Sequence, residues 1–85
     1  MAARTSASLR LRGRDGPLRG ELTWPEGEPQ ALLVVVSGGQ SPPAPDAVTL
    51  RVACATDDEA RIAVEWAAAH ARELGVASGR VEVIR

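Results

Sequence analysis

The sequence lacks most of the large side chains that usually anchor a hydrophobic core. It contains no phenylalanine and no tyrosine, and only 2 tryptophans. Its apolar content comes mainly from alanine, valine and leucine, which predicts a core built from small side chains. With 85 residues, the chain is one small domain or a piece of a larger one, and we expect its stability alone to be marginal.

Cysteine and long hydrophobic runs are equally scarce. Cysteine occurs once, at Cys54, which excludes an internal disulfide and a multi-cysteine metal site. The longest apolar run, residues 31–36, is too short to span a bilayer, and the N-terminus lacks the apolar run of a signal peptide. We therefore expect a cytoplasmic protein with no membrane partner, no metal and no cofactor.

Charge is balanced along the chain. Lysine is absent, and 10 arginines stand against 11 acidic residues. The first twenty residues hold five arginines and one acid, Asp15, but they lack the aromatic residues on which single-stranded nucleic acids stack, and the sign reverses at Glu21. The sequence therefore predicts no nucleic-acid partner.

The N-terminal half has the pattern of strands and turns. Residues 1–8 are small and polar, and we expect a disordered tail there. From Leu9 the leucines alternate with arginines, and a second alternating stretch over residues 18–24 follows a glycine-rich turn, which predicts an antiparallel hairpin. Residues 31–36 form a continuous apolar run, as in a strand that is buried on both faces of a sheet.

The C-terminal half predicts a strand, a helix and a strand. Residues 48–55 are apolar, and Thr56-Asp57-Asp58-Glu59 fits a capping box, in which the Thr56 hydroxyl accepts from the amide of Glu59. The helix should run from Asp57 to Leu74 and end at Gly75 with a positive φ. Residues 80–85 resume a strand pattern, so a right-handed βαβ unit with parallel strands is expected. The predicted class is α/β, with a hairpin, central strands and one main helix in a single domain over residues 9–85.

Two stretches of this sequence resemble one known family. The stretch LRGELTWPEGEPQALLVVVSGG is similar to the hairpin, turn and third strand of the α/β-hydrolases, ahead of the oxyanion loop of the hormone-sensitive-lipase-like carboxylesterases. The stretch DDEARIAVEWAAAHARELGVASGRVEVI is similar to the helix and strand that precede the nucleophile turn in that group. The resemblance covers about residues 16–85 and implies a partial α/β-hydrolase sheet.

The resemblance assigns a role to one loop. Gly38 and Gly39 occupy the place of the oxyanion loop, where close-lying backbone amides stabilise a developing negative charge. Ser37 stands where the group has histidine, and Gln40 stands where it has a third glycine. The two glycines alone are also compatible with a simple turn at the end of a buried strand.

The sequence contains no Gly-x-Ser-x-Gly nucleophile motif, so we expect an α/β-hydrolase N-terminal fragment or remnant that is inactive alone. Its partner would be the missing hydrolase half or a second copy. The alternative is a non-catalytic interaction module that self-associates through exposed sheet edges.

A catalytic dyad of Cys54 and His70 would require the end of a strand to face the middle of the helix. Ser78 fits a turn between the helix and the last strand. The interval between Gln40 and Thr56 is also too short to hold both the family's first helix and the strand that follows it, so we expect an internal deletion there.

Overall fold

The computed structural model describes residues 6–13, 16–36 and 46–84. They form five strands and one helix: β1 (Ser6–Arg12), β2 (Pro17–Thr23), β3 (Ala31–Val35), β4 (Ala47–Val52), α1 (Asp57–His70) and β5 (Val81–Ile84). One sheet holds all the strands in the order β1-β2-β4-β3-β5. β2 is antiparallel to both β1 and β4, whereas β3 is parallel to both β4 and β5. The predicted α/β class is confirmed.

The hairpin of β1 and β2 begins earlier than the leucine pattern indicated. Ser6 pairs with Thr23 and Arg12 pairs with Pro17, so the strand includes three residues that the sequence placed in the tail. Backbone pairing does not require an apolar side chain, which explains why small polar residues can extend the strand. Residues 1–5 lie outside the described part of the chain.

The central strand β3 is buried on both faces, as its continuous apolar run predicted. Adjacent residues in a strand point to opposite faces of the sheet. Val34 is 0 % exposed and its neighbour Val35 is 1 % exposed, so both faces are covered at this point. β3 is therefore an internal strand, with β4 on one side and β5 on the other.

The strand predicted over residues 48–55 is present as β4, with the bounds Ala47–Val52. Residues 37–45, which connect β3 to β4, lie outside the described residues. β4, α1 and β5 make the predicted βαβ unit, with β4 and β5 parallel and β3 lying between them.

The helix begins as its capping box predicted. The Thr56 hydroxyl accepts a hydrogen bond of 3.2 Å from the amide of Glu59. The Glu59 carboxylate accepts one of 2.7 Å from the amide of Ala55, which is one residue before the amide that the motif indicated. Two amides at the start of α1 are thereby satisfied.

The helical path ends at Gly75, although the last regular residue of α1 is His70. The amide of Val76 donates to the carbonyl of Ala71, and the amide of Gly75 donates to the carbonyl of Arg72. These two bonds define a Schellman motif, which places Gly75 at the left-handed position. The φ of Gly75 is +102°, as the sequence predicted.

The core lies between α1 and one face of the sheet, named here the helix face. On the helix side it consists of Ala60, Ala63 and Ala67, whose small side chains allow close packing. On the sheet side it consists of leucines and valines: Leu11, Leu18, Leu22, Leu32, Val34, Val48, Leu50 and Val52. A Cβ on Gly20 would lie 3.3 Å from Leu9 Cγ, so this glycine lets the hairpin close over the core.

Candidate functional site

The carboxyl ends of the three parallel strands lie along one edge of the sheet, named here the carboxyl edge. The amide of Val36, directly after β3, donates to the carbonyl of Ile84 at the end of β5 over 3.2 Å. The ends of β3 and β5 are therefore immediate neighbours. In open α/β sheets, this edge is where ligands bind and reacting groups are presented.

The predicted oxyanion residues, Gly38 and Gly39, lie outside the described residues. Val36 is the last described residue before them, and it is 7 % exposed. Its bond to Ile84 fixes the end of β3 beside the end of β5. The assignment of Gly38 and Gly39 to an oxyanion loop stays a prediction.

The start of α1 and Cys54 also lie at the carboxyl edge, because α1 follows β4 there. Cys54 is half-buried. Partial burial, and then the negative charge of Glu59, raise the pKa of the Cys54 thiol. A raised thiol pKa keeps the sulfur protonated and weakens it as a nucleophile at neutral pH.

His70 lies at the other end of α1 from Cys54. The helix has 14 residues, which at ~1.5 Å per residue puts about 20 Å between its two ends. The His70 ring stacks on Trp66 with a centroid distance of 4.5 Å, and its Nδ1 donates to the Trp66 carbonyl over 2.8 Å. Cys54 and His70 therefore do not form a catalytic dyad.

Ser78 lies at the opposite edge of the sheet, where β3 and β5 begin. Its hydroxyl donates to the Gln30 carbonyl at 3.0 Å and accepts from the Arg80 amide at 3.3 Å. Both bonds hold the turn into β5. The prediction that Ser78 forms a turn is confirmed. Ser78 does not lie at the carboxyl edge.

The acidic residues that open α1 do not assemble a metal site. Among residues 6–13, 16–36 and 46–84, no group of three or more histidine, cysteine, aspartate or glutamate side chains could hold a metal ion. The carboxylate of Glu59 is engaged with the amide of Ala55. Within the same ranges, no helix is long and apolar enough to cross a membrane.

Sequence reasoning identified the strands of this edge but missed how closely two of them lie. Val36 and Ile84 become neighbours only because β5 inserts beside β3, on the side away from β4. A strand pattern gives no information on the order of strands in a sheet.

Comparison with solved structures finds esterases of similar fold. Two structures of an esterase from the hyperthermophilic archaeon Pyrobaculum calidifontis match with a TM-score of 0.66 at 20 and 21 % identity, each over 93 % of this chain. The thermostable carboxylesterase EstE1, cloned from a metagenomic library, matches with a TM-score of 0.65 at 20 % identity. Neither protein-family models nor curated proteins match the sequence.

These matches show that the chain shares the α/β fold of part of these esterases. The chain spans about a third of the length of the esterases, or 34 to 35 %. The five strands and one helix of the described residues form a partial version of that fold.

Proposed function

We propose that this chain is an N-terminal fragment or remnant of a carboxylesterase-like α/β-hydrolase, with Gly38 and Gly39 in its oxyanion loop. We further propose that the 85 residues alone have no hydrolytic activity. The observation that carries the proposal is the bond between the Val36 amide and the Ile84 carbonyl. It joins Val36, the residue before Ser37-Gly38-Gly39 in the sequence, to the end of β5. In α/β-hydrolases the strand at this place leads into the nucleophile turn.

The chemistry of ester hydrolysis explains why these two strand ends must meet. In α/β-hydrolases the nucleophilic serine follows this strand, and a backbone amide from the loop after the third strand stabilises the charge on the substrate oxygen. Both groups must lie within about 3 Å of the reacting atoms. Gly38 and Gly39 would provide that amide, and a carboxylic ester is the substrate class that the similarity favours.

The proposed inactivity rests on the groups that the sequence contains. It has no Gly-x-Ser-x-Gly motif, its one cysteine has a raised thiol pKa, and its one histidine is bound to the backbone of its own helix. A hydrolytic serine, acid and histidine would come from residues outside this sequence. We also expect a cytoplasmic location, which fractionation of cells would test.

An esterase assay tests this proposal. The purified chain is incubated with p-nitrophenyl acetate and p-nitrophenyl butyrate, and far-UV circular dichroism of the same sample establishes that it is folded. We expect a folded chain with no release of p-nitrophenol above that of an equal concentration of histidine. Turnover that a serine-directed phosphonate abolishes would contradict the proposal, because it would reveal a nucleophile within these residues.

A second candidate function is a non-catalytic module that self-associates through strand β5, and one observation favours it. Val83 is 42 % exposed and Ile84 is 36 % exposed, and they point to opposite faces of a strand at the edge of the sheet. A strand with apolar side chains on both faces is typical of an internal position. Another strand added at this edge would cover both side chains and their backbone groups.

The oligomeric state separates the two candidates. Light scattering coupled to size-exclusion chromatography, over a hundredfold range of concentration, should show a monomer if β5 serves only as part of a hydrolase sheet. A dimer that dissociates on dilution and is abolished by Val83→Glu would favour the interaction module. The exposed Ala68→Glu substitution on α1 is the matched control for added charge.

A further inference from the structure

The face of the β1–β2 hairpin that points away from the helix carries a cluster of arginines. Arg10 lies directly opposite Arg19 in the antiparallel ladder. Arg12 lies two residues beyond Arg10 and therefore on the same face. All three side chains are exposed, while the leucines between them point into the core.

These arginines are not neutralised within the described part of the chain. The side chains of Arg10, Arg12 and Arg19 form no ion pair or hydrogen bond there. On the same face of β2, Glu21 lies two residues beyond Arg19 and opposite Arg51 of β4. Like charges directly opposite each other in an antiparallel pair destabilise the sheet, so the Arg10–Arg19 pair has a local cost in free energy.

Protection of a sheet edge explains only part of this cluster. Charged side chains on an edge strand prevent pairing with other chains, and β1 is an edge strand. Arg10 and Arg12 fit that explanation. Arg19 does not, because β2 lies between β1 and β4 and has no free edge.

A shallow depression lies beside Arg10 and Arg12, toward the hairpin turn, and Arg19 is not part of its lining. This open depression of about 390 Å³ is lined by Arg10, Leu11, Arg12, Gly13, Gly16 and Pro17. A guanidinium group presents a planar fork of N–H donors that matches phosphate and carboxylate oxygens. Two adjacent guanidinium groups are neutralised together by a dianion, which favours phosphate over a single carboxylate.

We propose that the outer face of the hairpin binds a phosphate dianion between Arg10 and Arg19, with Arg12 adding positive charge. The ligand is inorganic phosphate or a phosphate group carried on a larger molecule. A bridging dianion would convert the repulsion between the two guanidinium groups into two charge-assisted interactions. This binding would be independent of the carboxyl edge, and its failure would leave the proposed esterase role untouched.

Titration with inorganic phosphate at pH 8 tests the proposal. The Nε–H signals of the arginines are followed by ¹H–¹⁵N NMR at constant ionic strength, with sodium chloride as the reference salt. We expect saturable shifts of Arg10 and Arg19, and about tenfold weaker binding in Arg10→Gln and in Arg19→Gln. Arg61→Gln, at an exposed position on α1, is the matched control and should bind like the unmodified chain.

Sedimentation with vesicles distinguishes a phospholipid headgroup from a soluble phosphate as the natural ligand. If the unmodified chain sediments with vesicles of phosphatidic acid and the Arg19→Gln variant does not, the ligand is a phospholipid headgroup. Vesicles of phosphatidylcholine are the reference. Phosphate binding without sedimentation would assign a soluble phosphate. Equal shifts with chloride, or equal weakening by Arg61→Gln and Arg19→Gln, would overturn the proposal, because either would show general screening of charge.

Discussion

The indole Nε1 of Trp24 donates a hydrogen bond of 2.8 Å to the carbonyl of Leu74, 50 residues further along the chain. Trp24 directly follows β2, and Leu74 lies in the last turn of the helical path, just before Gly75. The carbonyls of a last helical turn have no partner within the helix. This bond therefore satisfies such a group and joins the hairpin to the end of α1.

Replacing Trp24 by phenylalanine should destabilise the fold by about 1–2 kcal/mol, because the partly buried Leu74 carbonyl then loses its donor. Unfolding in urea, followed by far-UV circular dichroism, measures the change. The matched control is Trp66→Phe. Trp66 is also half-buried, but its contact with His70 is a ring stack, which phenylalanine can retain. Equal losses in the two variants would show that the indole hydrogen bond contributes nothing.

Replacing Gly75 by alanine should destabilise the chain by about 1–2 kcal/mol, since a Cβ at a left-handed position is strained. Gly75 has a φ of +102°, and among the described residues a Cβ added there would contact Pro29 Cγ alone, at 3.6 Å. The loss would thus come from backbone strain and not from a clash. Thermal unfolding measures it. Gly27→Ala, where a Cβ meets nothing within 4 Å, should leave the melting temperature unchanged or raise it.

Replacing Thr56 by alanine should destabilise the fold by about 1 kcal/mol through loss of the helix cap. The Thr56 hydroxyl is the acceptor for the Glu59 amide, and alanine leaves that amide to solvent. Denaturant unfolding measures the change, and Thr56→Ser should recover most of the loss because serine keeps the oxygen. A serine variant as unstable as the alanine variant would indicate that the threonine methyl group, and not the cap, stabilises this site.

Local signals in the sequence were sufficient for the elements of this fold. The capping box located the first residue of α1, and Gly75 located the end of the helical path. The continuous apolar run located the strand that is buried on both faces. Each of these signals acts within a few residues, so its physical cause is contained in a short stretch of sequence.

The arrangement of these elements in space required more than local signals. The alternating pattern of β1 indicated a strand but not its first residues, since Ser6 pairs with Thr23 through backbone groups alone. The position of β5 beside β3 depends on how a helix crosses the sheet, which no short pattern encodes. The opposition of Arg10 and Arg19 likewise depends on the register of the hairpin.

The raised thiol pKa of Cys54 should make the stability of this chain depend on pH in the alkaline range. The folded state keeps the thiol proton at pH values where the unfolded chain releases it. The unfolded state then binds fewer protons, so the free energy of unfolding decreases as the pH rises above about 8.5, the ordinary thiol pKa. The decrease continues until the pH exceeds the thiol pKa of the folded state.

The composition makes this dependence unusually simple to assign. Without lysine and tyrosine, Cys54 carries the one side chain of this sequence that titrates between neutral pH and about pH 11, since arginine stays protonated throughout this range. Urea unfolding between pH 7.5 and pH 10.5 should therefore give a falling stability for the unmodified chain and a nearly constant one for Cys54→Ala. Glu59→Gln should reduce the slope only partly, because burial of the thiol raises its pKa more than the Glu59 charge does. Parallel slopes for the unmodified chain and Cys54→Ala would show that the thiol ionises equally easily in the folded and unfolded states.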